Sequence, residues 1–101
     1  MIFINIYYCH NKDIKMNCKN LTEDNKERIR IMLSCVINYY SDKYNLGLAP
    51  LPIKLMTLKY MQQYCFELAF LSSKDLSFRD KHTLALSFVQ NLIIFNLKKG
   101  D

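Results

Sequence analysis

Turn-forming residues are scarce in this chain: its 101 residues include only two glycines and two prolines, at Gly47, Pro50, Pro52 and Gly100. Small β-sandwiches and barrels need a turn signal about every eight to twelve residues, so an all-β fold is excluded. Chemistry-bearing motifs are missing as well. Cys9, Cys18, Cys35 and Cys65 form no C-x-x-C pair, and His10 and His82, the two histidines, have no acid or cysteine at a metal-ligand spacing. There is no glycine-rich phosphate loop, nucleophile elbow or paired-carboxylate motif. No metal or other cofactor is therefore expected, and the chain is expected not to be an enzyme.

Long hydrophobic runs are lacking too. Met1 to Tyr8 is apolar but too short to span a bilayer, and it has neither a basic leader nor a small-residue cleavage site. No membrane partner is expected, and the expected compartment is the cytoplasm or nucleus. There Cys35 and Cys65, on apolar faces of predicted helices, should be reduced core thiols. Charge of one sign is not concentrated anywhere. Fourteen Lys and Arg are interleaved with nine acids, for a net charge of +5, which reads as solvated helix faces and not as a nucleic-acid footprint.

What the chain does have is apolar bulk. Half its residues are hydrophobic and 13% are aromatic, enough for one core in a chain of single-domain size. With so few turns the elements must be long, and the expected fold is all-α, orthogonal or bundled, with three main helices. Residues 1–20 read as a loose N-terminal arm with a short strand at Ile2 to Tyr8, and residues 21–101 as a single helical domain.

The first helix is expected over about residues 23–45. Thr22 suits its N-cap, Glu23 and Asp24 suit the positive end of the helix dipole, and Ile29, Met32, Leu33, Val36, Ile37, Tyr40 and Tyr44 recur at steps of three and four. Gly47 suits a left-handed cap, and Pro52 the first position of a second helix running to about residue 72. There Leu55, Leu58, Met61, Cys65 and Leu68 form one apolar stripe, with Met56, Tyr60, Tyr64, Phe66 and Phe70 covering much of the rest. Ser77 with Asp80 can cap a third helix over about residues 78–98, with His82 on its surface.

Two helices that are apolar nearly all round exceed what three helices need for a core, which points to a protein partner or to self-association. Four residues are candidates for that contact. Ile94 and Leu97 lie near the end of the third helix, where the core thins. Glu67 is a lone acid in an apolar stretch, and either Tyr39 or its neighbour Tyr40 must face outward.

The run Tyr64-Cys65-Phe66-Glu67-Leu68-Ala69-Phe70-Leu71, followed by Leu76, Phe78, Ala85 and Phe88, resembles the C-terminal box of the cyclins. In a second register, Arg30-Ile31-Met32-Leu33, Lys43-Tyr44-Asn45-Leu46 and Phe70-Leu71-Ser72-Ser73 resemble the N-terminal box. The resemblance implies a cyclin-box-like helical fold and a non-catalytic regulatory subunit of the cell cycle that binds a protein kinase. It also implies that Lys98 is the nearest match to the lysine by which cyclins hold the kinase. Two alternatives share the helical pattern: a histone-fold-like subunit of a nucleic-acid-associated heterodimer, and a helical adaptor of the kind viruses also use.

Overall fold

The computed structural model describes residues 21–99, and within them the chain is all-α. The expected arm at residues 1–20 and its strand lie outside the described residues. Helix α1 spans Glu23–Lys43. The Thr22 hydroxyl accepts the backbone N–H of Asn25 at 3.1 Å, satisfying one of the donors that a helix start leaves unpaired, while Glu23 and Asp24 face the positive end of the dipole. The helix stops two residues before the expected Asn45 because Asn45 itself takes a left-handed conformation, with φ 56°, as Gly47 does with φ 61°. Asparagine tolerates that region better than other side chains, so two turn positions stand where glycine alone was foreseen. Buried Ser41 holds the turn. Its carbonyl accepts the N–H of Leu46 at 2.9 Å and its hydroxyl that of Leu48 at 3.4 Å.

Helix α2 spans Pro50–Leu71, starting two residues earlier than expected. The first helical turn has no use for its N–H groups, so Pro50 and Pro52 both fit inside it. Helix α3 spans Phe78–Lys98, with the Ser77 hydroxyl accepting the N–H of Asp80 at 3.1 Å. Each helix packs against the other two. Asn25 and Arg28 at the start of α1 lie beside Arg79 and His82 at the start of α3, so α1 and α3 run the same way and α2 runs against both.

The core is the seam where the three meet: Ile29, Leu33 and Ile37 from α1; Ile53, Tyr60, Tyr64, Cys65 and Leu68 from α2; Ala85, Val89, Ile93 and Leu97 from α3. Full burial of each large member contributes about 1.5–3 kcal/mol. The buried face of α2 differs from the expected stripe. Leu55 and Leu58 are exposed, whereas Thr57 and Gln63 are buried; Thr57 is accommodated because its hydroxyl donates to the Ile53 carbonyl at 2.7 Å. The two thiol expectations need correction. Cys35 is exposed, since α1 turns it away from the seam, and Cys65 is buried but disulfide-bonded, so it is not a reduced thiol.

A candidate protein-binding surface

Exposed large apolar residues on α2 and α3 fall in register. On α2, Leu51, Leu55 and Leu58 follow at steps of four and three; on α3, Leu84, Phe88 and Phe95 follow at four and seven. Such spacings place side chains on one helix face. Leu58 of the α2 row, but not Leu51 or Leu55, lines an open groove against α1 of about 750 Å³, with Ile31, Leu48 and Ile53 as further apolar lining and Lys54 and Asn38 among its polar residues. Near one edge Arg30 pairs with Glu27 on α1.

The candidate residues are dispersed. Tyr39, 62% exposed, meets Tyr40 edge-on at 4.9 Å, and Tyr40 in turn stacks on Tyr44 at 5.9 Å. Of the tyrosine pair it is thus Tyr39 that faces outward. Lys98 is exposed at the end of α3 and Ile94, one turn earlier, is half-buried. Leu97 has no surface to offer: at 1% exposed it belongs to the core, because the three-helix seam extends to the last turn of α3 and does not thin there. Glu67 is half-buried on α2 and accepts a hydrogen bond from the Gln63 amide at 2.9 Å. Burial pushes its pKa up, against the opposing effect of that bond. Tyr39 on α1, Glu67 on α2 and the Ile94–Lys98 pair on α3 thus lie on three different helices. The row on α2 went unrecognised in the sequence because periodicity marks a leucine as apolar without saying which of two apolar faces is covered.

His82 is half-buried and not a surface residue. Its Nδ1 is hydrogen-bonded with the Tyr64 hydroxyl, and Phe78 stacks on the ring at 6.4 Å. The histidine and Phe78 line a second cavity of about 370 Å³. Burial lowers the pKa of His82 and raises that of Tyr64, so a neutral imidazole pairs with a phenol that keeps its proton. A histidine buried neutral takes up a proton more readily when the chain unfolds. Its contribution to stability is therefore whole above the unfolded pKa of about 6.5 and is lost as pH falls below it. Thermal melts should show Tm dropping more steeply between about pH 7.5 and 5.5 in the wild type than in His82→Gln. Parallel curves would show that His82 does not carry this dependence.

Among the described residues no helix is long and apolar enough to cross a membrane, and no cluster of His, Cys, Asp and Glu could hold a metal ion. The chain matches no protein-family model, no curated protein and no solved structure.

Proposed function

We propose that this chain is a non-catalytic module that binds another protein through the apolar groove between α1 and α2. The observation that carries this is the open groove lined by Ile31, Leu48, Ile53 and Leu58, of which Ile31 and Leu58 are exposed, with Leu51 and Leu55 continuing the exposed row of Leu58 outside it. Burying such a row recovers apolar surface that three helices leave in water, and the groove has the form that accepts one more amphipathic helix. Lys54 on its lining has no ion-pair partner among the described residues, which favours a helix carrying acids along its edge.

The cyclin resemblance of residues 64–71 supplies a partner class, a protein kinase, and a regulatory role within the cell cycle. A cyclin box has five helices where the described residues form three, so protein binding is the firmer part of the proposal. Three helices of 21, 22 and 21 residues, each packed on the other two, give less support to the histone-fold-like alternative, whose third helix is usually short.

The test is affinity capture with the tagged full chain, run beside Ile31→Glu/Leu58→Glu. Both positions are exposed, so the variant should keep its helical spectrum. The expected result is a stoichiometric protein companion held by the wild type and lost by the variant, with a kinase among the companions if the cyclin-like role holds. Equal capture by both chains would remove the groove from the function. Tight binding to duplex DNA that weakens steeply with salt would favour the nucleic-acid alternative instead.

A further inference from the structure

The outward face of α3 carries a pattern that is complementary to itself. Leu84, Phe88, Asn91 and Phe95 follow at steps of four, three and four, which aligns them along one side of the helix, opposite the buried Ala85, Val89 and Ile93. Leu84 is 48% exposed, Phe88 47% and Phe95 56%. One turn before Leu84 stands Asp80, which has no ion pair among the described residues. One turn beyond Phe95 stands Lys99, whose ammonium lies 4.6 Å from the centroid of the Phe95 ring and so sits on this same face. The row therefore begins with an acid, ends with a base, and is apolar between them except at Asn91.

Read backwards about a point between Val89 and Gln90, that order matches itself. Asp80 falls opposite Lys99, Leu84 opposite Phe95, and Phe88 opposite Asn91. A two-fold axis is the operation that sets one surface against its own copy in this way. We infer that α3 pairs antiparallel with α3 of a second copy of this chain, forming a symmetric dimer. The apolar residues of the row leave water, and the Asp80 carboxylate of each copy meets the Lys99 ammonium of the other at the two ends. The charges at the two ends fix the register. A slide of one turn would set Asp80 against Phe95 and leave the lysines without acids, so the aligned pairing is preferred over its neighbours. One helix pair is at the small end of specific interfaces, so the dimer should dissociate on dilution.

This inference goes beyond the groove proposed above: it uses a different helix, and it can fail while partner capture in the α1–α2 groove succeeds. The experiment is sedimentation velocity on the full chain carrying Cys35→Ser, so that an exposed thiol cannot mimic association, at concentrations from about 1 to about 200 μM. The average mass should rise from 12.0 kDa toward twice that value. Phe88→Glu and Phe95→Glu should keep the helical spectrum and melting temperature and move half-association at least about tenfold higher in concentration. Asp80→Lys and Lys99→Glu should each weaken association, and the two together should restore it. The inference is overturned by a mass of 12.0 kDa at every concentration, by association that Phe88→Glu leaves unchanged, by assemblies larger than two, or by a charge-swapped pair that is no better than its single members.

Discussion

Ile93→Asp should leave the chain with no cooperative unfolding transition in a far-UV circular dichroism melt. Ile93 is 0% exposed on the side of α3 that also buries Ala85, Val89 and Leu97. The substitution removes a branched aliphatic group, worth roughly 2–5 kcal/mol when such a side chain is truncated in a core. It also strands a carboxylate with no cation among the buried residues around it, which costs several kcal/mol more. The sum is comparable to the roughly 5–15 kcal/mol by which a whole domain is stable. Phe95→Asp, two residues on and exposed, is the control and should melt within a few degrees of the wild type. If Ile93→Asp retained a sharp transition near the wild-type Tm, the three-helix seam would not be the core of this protein.

Asn96→Ala should lower stability by about 1–3 kcal/mol through a different mechanism, the loss of a buried hydrogen bond. The Asn96 amide donates to the Tyr60 hydroxyl at 2.7 Å, joining α3 to α2 inside the core. Burial pushes the phenol pKa up, with the Asn96 bond acting in the opposite direction, so Tyr60 stays protonated. Truncating Asn96 opens a cavity and removes a donor from the buried oxygen, whereas replacing both partners by apolar groups leaves less unmet. For a domain of this size the single change corresponds to a Tm decrease on the order of 4–8 °C per kcal/mol. Asn96→Leu combined with Tyr60→Phe should be less destabilised than the sum of the two single variants, by about 1 kcal/mol of coupling. Strict additivity in the thermal melts would show that the bond contributes nothing of its own.

Both cases concern groups whose environment was only partly legible in the residues. Ile93 was recognisable as apolar, but so were Leu84, Phe88 and Phe95, and the fold buries the first while exposing the others. Helical periodicity distinguishes faces when one of them is polar. On α2 and α3 apolar residues occupy several faces, so the choice falls to whichever side two neighbouring helices cover. That explains why Leu55 and Leu58 lie in solvent where a buried stripe was expected, and why Leu97 belongs to the core instead of a contact surface. His82 gave no sign of burial, because its hydrogen-bond partner Tyr64 lies 18 residues away across the turn between α2 and α3.

By itself the sequence determined the secondary structure and its punctuation. Thr22 and Ser77 start helices because their hydroxyls accept the N–H groups that a first turn leaves unpaired. The scarcity of glycine and proline forces long elements, and Asn45, Gly47 and Pro50 interrupt them where the backbone must reverse. These are local effects, decided within one turn of helix. The tertiary structure alone decided which apolar face is core and which is open, and it alone brought Tyr60 to Asn96 and Tyr64 to His82. Hydrophobic burial has no direction of its own, so the covered face depends on residues far apart in the chain.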